Sequence, residues 1–467
     1  MLKESPNDLN LVYISDIHAA DPYNKFACGP IDTQSNFQNL VAFYYAMDLV
    51  NQNTDSRYPS SLKLGGIALD TCSSSSRIGQ DLYSLLSGEG ICGTDNEGQV
   101  LSPSTIIVHL AKNSANAIVT SSILSPKKMT SMSQSATSVE LSDDLHDYFL
   151  RTVPPDNIQA VAIVKVIQSF GWDYMSAVYT NNAYGRAARQ TLLEYAEKTS
   201  PRTCVSQAIA MPVDATLEDA KKIIDDLNQR VGARVVVLFV TGAHARLLLQ
   251  AATEKQLTSR FIWLGSDTWA NSESIVKDYE YTAAGAITVQ INSQNIEKFK
   301  TYLKSLTLED HKGIPDDWFE EIFQKLHQCR ILNSVVSQNY PRICTGDEQI
   351  TDDMVPQDPY VLHTIISVFI VAQGLSRIEQ CTSSSLSLSA CLSLQTNKND
   401  LIYKSIKDAD YRVLPGDIAQ PFTFQFTSEG YGDVGYNILN YRRNQVTAKF
   451  EYEKVNFDKV LFIIEKK

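Results

Sequence analysis

No apolar run in this chain is long enough to cross a bilayer. The longest, Val361 to Leu375, carries His363 and Gln373 and falls short of the roughly 20 residues a spanning helix needs, so it reads as a buried core helix. The N-terminus, MLKESPNDLN, has no apolar segment of the kind that forms a secretory leader, which fits a trimmed sequence, a late start or a cytosolic protein. No Asn-x-Ser/Thr acceptor occurs. Positive charge is in deficit: 41 basic against 53 acidic side chains give a net charge of −12. That balance repels phosphate backbones and anionic membrane surfaces, which excludes nucleic acid as a partner. Signatures of catalysis are missing too. There is no phosphate-binding G-x-x-x-x-G-K-[ST], no H-E-x-x-H and no G-x-S-x-G, and the seven histidines show no triad or metal spacing. The one G-x-G-x-x-G string, at Gly88, Gly90 and Gly93, follows a predicted helix instead of a strand and opens no helix, so it reads as a chance match in a loop. Eight cysteines contain no C-x-x-C pair and no Cys/His cluster, which leaves zinc and dithiol redox chemistry unsupported and disulfides as their use. No metal or cofactor is expected.

What remains is a chain of 467 residues, 43% apolar and 20% charged: the composition of a folded protein and too long for a single core. Helix and strand patterns alternate along it. In the first part, Leu11 to Ser15, Leu64 to Leu69 and Ile106 to Leu110 read as strands, with helices over Asn36 to Asn51 and Gly79 to Leu86 between them. The pattern resumes near residue 155. Asn157 to Phe170 is a predicted helix, with Val161, Val164, Ile167 and Phe170 on one face and Gly171 as its stop. Strands follow at Tyr174 to Tyr179, Val235 to Val240, Phe261 to Gly265 and Ala286 to Gln290. Helices lie between them, from Gly185, over Leu217 to Leu227 and over Ala243 to Lys255. This is βαβ repetition in two blocks, so the fold class is α/β: two lobes, each a doubly wound, mostly parallel sheet, with a cleft between them.

Ligands of open α/β sheets bind where the strands end, on loops bearing polar groups. Those loops read Ala111-Lys112-Asn113-Ser114-Ala115, Ser133-Gln134-Ser135-Ala136-Thr137-Ser138, Thr180-Asn181-Asn182-Ala183-Tyr184-Gly185 and Gly265-Ser266-Asp267-Thr268-Trp269. Hydroxyls and helix-start N–H groups in the first half suit a carboxylate. In the second half, Asp267, together with Asp156 after Pro154-Pro155, suits an ammonium group. A zwitterion would use both halves. Each residue also has a plainer use: serines and threonines at such positions cap helices, and Asp156 could cap its own. Asp156 and Asp267 could also form an acid pair in an enzyme.

The stretch SATSVELSDDLHDYFLRTVPPDNIQAVAIVKVIQSFGWDYMSAVYTNNAYGR, Ser135 to Arg186, resembles the ligand-binding domain of metabotropic glutamate receptors. WLGSDTWA (Trp263 to Ala270) and PRICTGDE (Pro341 to Glu348) resemble the same family in the same order. The resemblance implies a class C G-protein-coupled receptor ectodomain, a Venus-flytrap clamshell like the periplasmic binding proteins. Lobe 1 would comprise residues 1–153 and 286–433, and lobe 2 residues 154–285 and 434–455. Residues 456–467 would lead toward an absent cysteine-rich domain. Ser114, Ser135, Ala136 and Thr137 would hold the ligand's α-carboxylate and part of its α-amino group from lobe 1. Asp156, Tyr184 and Asp267 would take the amino end from lobe 2, with Tyr184 over the ligand. Asn113 and Ala115 replace serines usual beside Ser114.

The resemblance also points to a distal pocket in which glutamate-selective members place basic residues. The matching positions here are Asp32, Ser35, Asn39, Ser272 and Tyr360, none of them basic. An unpaired carboxylate buried there would cost several kcal/mol, so the expected ligand is an α-amino acid or amine with a neutral or basic side chain, not glutamate. Asp32 has two readings, a partner for a cationic side chain or a solvated surface acid. The family pattern pairs Cys28 with Cys72, Cys329 with Cys344 and Cys381 with Cys391. It assigns Cys92 to a bond between protomers and leaves Cys204 a free thiol, against the plainer reading of Cys204 as a buried apolar residue. It further implies a homodimer or heterodimer through lobe 1, a place on the extracellular face of the plasma membrane within a longer receptor, and contact with a G protein only through a transmembrane part missing here. A soluble amino-acid-binding protein, a non-binding receptor subunit and an enzyme are the competing readings.

Overall fold

The computed structural model describes residues 2–3, 9–21, 23–24, 27–52, 58, 62–88, 103–200, 202–336, 339–382, 386–412 and 421–455. Cys92, Gly90, Gly93 and the segment 456–467 lie outside them. The chain divides into two compact units. The first is Met1–Ala136, Leu141–Val153 and Gln294–Asp433; the second is Thr137–Glu140, Pro154–Ser293 and Val434–Lys467.

The first unit holds a six-stranded sheet in the order Leu2–Lys3, Leu64–Asp70, Leu9–Ser15, Ile106–Ala111, Thr130–Ser133, Phe149–Arg151. Every pairing is parallel except the first. Leu9–Ser15 and Ile106–Ala111 are buried along their whole length, which explains their near-continuous apolar sequence. Beside the sheet, helix Val361–Leu375 packs against helices Ser35–Asn51 and Lys398–Lys407. Fourteen of its 15 residues are buried, so an apolar surface on every side marks a central core helix. Among the described residues no helix is long and apolar enough to cross a membrane.

The second unit holds a seven-stranded sheet in the order Cys204–Met211, Tyr174–Thr180, Val235–Phe239, Ile262–Gly265, Ile287–Ile291, Tyr436–Arg443, Phe450–Lys454. Its first five strands pair in parallel, and the last two add an antiparallel edge. The parallel part needs crossover helices, and Ala183–Lys198, Leu217–Gln229 and Gly242–Glu254 supply them. Both sheets are doubly wound and mostly parallel, as the alternating pattern predicts.

Several sequence expectations shift by a residue or two because caps, not apolar periodicity, set the ends. The helix expected from Gly185 starts at Ala183, where the Asn182 side chain accepts from the Gly185 N–H at 2.9 Å. Asp156 does not cap its helix. Pro155 takes that position and Asp156 is the first helical residue of Asp156–Ser169.

Candidate functional site

At the carboxyl ends of the first unit's strands, three neighbouring chain segments leave the sheet together. Ile14 pairs with Ala111 and Leu110 with Met132, so Asp16, Lys112 and Ser135 emerge side by side. The Lys112 N–H donates to the Ile14 carbonyl at 2.9 Å, and the Lys112 carbonyl accepts from the hydroxyls of Ser133, at 3.1 Å, and Ser135. Ser133 also accepts from the Ala136 N–H at 2.9 Å. Ser114 is the first residue of helix Ser114–Leu124, which Asn113 caps by accepting from the Asn116 N–H at 2.9 Å. The structure thus brings Ser114, Ser135 and Ala136 to one strand-end cluster. Ser135 is half-buried, while Ser114 and Ala136 are buried.

Thr137 belongs with the second unit, where its carbonyl accepts from the Asp156 N–H at 2.7 Å. There the Tyr184 hydroxyl donates to Ser266 Oγ, at 2.8 Å, and to Asp267 Oδ1, at 3.2 Å. Ser266 and Asp267 follow strand Ile262–Gly265, and Tyr184 follows Tyr174–Thr180, again at strand ends. Burial pushes the Tyr184 hydroxyl's pKa well above its ordinary value, and the negative charges of Asp267 and Asp156 push it further. Thr137, Asp156, Tyr184 and Asp267 therefore lie together in the second unit. An aromatic ring flanked by two carboxylates is chemistry suited to an ammonium group. Ser266 was read only as part of its loop, yet it is the partner that orients Tyr184.

Four of the distal positions, Asp32, Ser35, Asn39 and Tyr360, belong to the first unit. Ser35 and Asn39 lie on helix Ser35–Asn51. Asn39 donates to Asp358 Oδ1 at 2.9 Å, and Asp358 also accepts from the Tyr360 N–H at 2.9 Å. Asp32 is half-buried and accepts from the Gln34 N–H at 2.6 Å and Asn36 Nδ2 at 3.1 Å. Ser272 belongs to the second unit, where its hydroxyl meets Ser274 at 2.9 Å. The aligned positions carry no basic residue, but the pocket is not without a cation. Lys112, 7% exposed, sends its ammonium to Ser35 Oγ at 2.7 Å and Asn36 Oδ1 at 2.6 Å. Burial lowers its pKa, opposed by the charges of Asp358, Asp32 and Asp16. The signal for Lys112 is its place directly after a strand, two residues before Ser114. It is not one of the positions that the family resemblance aligns with basic residues.

Three disulfides join Cys28 to Cys72, Cys329 to Cys344 and Cys381 to Cys391, with Cα–Cα distances of 5.1, 5.0 and 5.5 Å. Cys204 is a free thiol and exposed, which corrects the reading of it as a buried apolar residue.

Residues 38–444 match the family described as the receptor family ligand binding region. The chain belongs to this family. It is similar to metabotropic glutamate receptor 6 of Oryctolagus cuniculus, 26% identical over 94% of this chain and 51% of the relative. It is also similar to metabotropic glutamate receptor 6 of Rattus norvegicus, 28% identical over 80% of this chain and 44% of the relative. Metabotropic glutamate receptor 4 of Mus musculus is 25% identical over 95% and 49%. The chain thus spans about half the length of these relatives. It is a class C, Venus-flytrap type of ligand-binding region, and the proteins it matches are receptors, not enzymes.

Proposed function

We propose that this chain is the extracellular ligand-binding part of a longer metabotropic-glutamate-receptor-like protein. It takes an α-amino acid or related amine whose side chain is neutral or basic. The observation that carries this reading is Tyr184, whose hydroxyl is tied to Ser266 and Asp267 and lies in the field of Asp267 and Asp156. In the first unit, Ser114, Ser135 and the strand-end N–H groups suit an α-carboxylate. A ligand that uses both sets favours the conformer in which both reach it. Its differential affinity sets how far the population moves, and that shift is the signal.

The first unit argues against glutamate. Asp16, Asp32 and Asp358 set three formal negative charges near one ammonium, Lys112. A further carboxylate entering there would meet net repulsion in a poorly solvated place. Pairing of two protomers through the first unit, transmission to a G protein through a membrane-spanning part, and a bond from the exposed Cys204 to a following domain complete the proposal.

A thermal-shift screen of L-amino acids and small amines on the full chain tests it. Hits should be zwitterionic and should disappear in Asp267→Ala. A folded protein that responds to none favours a non-binding subunit, and hits that persist unchanged in Asp267→Ala overturn the assignment of the amine site.

A further inference from the structure

Lys112 has a burial and a set of partners that packing alone does not call for. Its ammonium is set between Ser35 and Asn36, at 2.7 and 2.6 Å. Asn36 turns its amide group the other way, donating to Asp32 Oδ2 at 3.1 Å and to the Asp16 carbonyl at 2.7 Å. The surrounding acids are held in place by their own donors. Asp16 accepts from Asn113, at 2.8 Å, and Asn116, at 3.0 Å, and Asp358 accepts from Asn39. The pocket is therefore preorganised around a positive charge, and the chain itself supplies that charge.

We propose that Lys112 is the specificity-determining residue of this pocket. Its ammonium occupies the place a cationic ligand side chain would take, and so restricts the ligand to α-amino acids with neutral side chains. This rests on the amino-acid-binding reading above and narrows it. A second cation would have to approach Lys112 closely in a poorly solvated site, and a carboxylate would face three acids; a neutral side chain meets neither cost. Removing the ammonium while keeping the acids should turn the pocket into one that recruits a cation.

Two arms test the idea on the full chain. In the first, affinities for L-lysine and its neutral counterpart L-norleucine are measured in the wild type and in Lys112→Met. The wild type should prefer norleucine, and the variant should shift the lysine-to-norleucine ratio at least tenfold toward lysine. A ratio changed less than twofold overturns the proposal. In the second, Lys112→Ala is melted with increasing propylammonium, and with 1-propanol as the neutral control. A saturable rise in Tm with propylammonium, absent with propanol and absent in the wild type, supports the proposal. Equal responses to both compounds, or a variant left unfolded at saturating propylammonium, contradict it. If no amino acid binds the wild type, the amino-acid-binding reading fails, but the propylammonium arm still reports on what Lys112 does.

Discussion

Single residues carry the chemistry, and their partners make it testable. Replacing Tyr184 by Phe keeps the ring and removes the hydroxyl that reaches Ser266 and Asp267. Titration of a ligand found in the screen should show roughly tenfold weaker binding, the ~1–1.5 kcal/mol of one hydrogen-bonding hydroxyl. His18 makes a second, independent case. Its Nδ1 meets Asp70 at 2.5 Å and its Nε2 meets Glu321 at 3.2 Å. Burial pulls the imidazole toward neutrality, but the hydrogen bonds and charges of Asp70 and Glu321 prevail and push its pKa up to about 9. A raised histidine pKa stabilises the folded state fully below pH about 6.5, and that contribution is lost as pH rises to and through about 9. Allowing for solvent screening, it should amount to roughly 1–2 kcal/mol. Denaturant melts of wild type and His18→Gln should differ most at pH 6 and converge toward pH 9.5; a difference independent of pH would contradict this. Tyr184 and Asp267 stood out in the sequence because each follows a strand, Tyr184 within the long stretch Ser135 to Arg186 and Asp267 within Trp263 to Ala270. Lys112 and the His18 cluster were not. His18 and Glu321 are far apart in sequence, and an ion pair across such a distance leaves no periodic trace.

At the scale of elements, buried strands were legible where the apolar run is long, whereas the short buried strands Thr130–Ser133 and Phe149–Arg151, with polar residues in them, were not. Val235–Phe239 is a continuous apolar run, and Ile106–Ala111 is one broken only by His109. Cys204–Met211 was missed because it lies at the sheet edge, mostly half-exposed, and its sequence alternates weakly. The antiparallel edge, Tyr436–Arg443 and Phe450–Lys454, was missed because both strands are mixed in polarity and lie far along the chain from the block they complete. The turn from strand Tyr174–Thr180 into helix Ala183–Lys198 depends on close approach of backbone. A Cβ on Gly185 would lie 2.1 Å from the Thr180 carbonyl oxygen. Gly185→Ala should therefore lose at least ~2 kcal/mol in chemical denaturation and weaken ligand binding, since Tyr184 is its neighbour. A variant as stable as the wild type would show that the turn relaxes at little cost. The capping box of helix Leu217–Gln229, where Thr216 and Asp219 cap each other, involves none of the site residues. Thr216→Ala should lose about 1 kcal/mol of stability and leave binding unchanged.

For the molecule as a whole, the chain visits each unit more than once, so neither unit is a contiguous piece of sequence. Residues 38–444 of this architecture match a receptor ligand-binding family, and three disulfides accompany it. Alkylation of the unreduced protein followed by mass mapping should modify Cys204 and spare Cys28, Cys72, Cys329, Cys344, Cys381 and Cys391. Protection of Cys204 would mean that a partner or a bond covers it. The division into two α/β blocks was readable because βαβ alternation repeats with an interruption. The charge balance of the distal pocket was not, since it depends on Lys112 folding back onto Ser35. An amino-acid-binding region with this charge balance is built against acidic side chains. Its most direct test is isothermal titration of the full chain with L-glutamate beside the best neutral amino acid from the screen. The neutral ligand should bind saturably and glutamate at least 100-fold more weakly; micromolar glutamate binding would rule out a pocket built against acidic side chains.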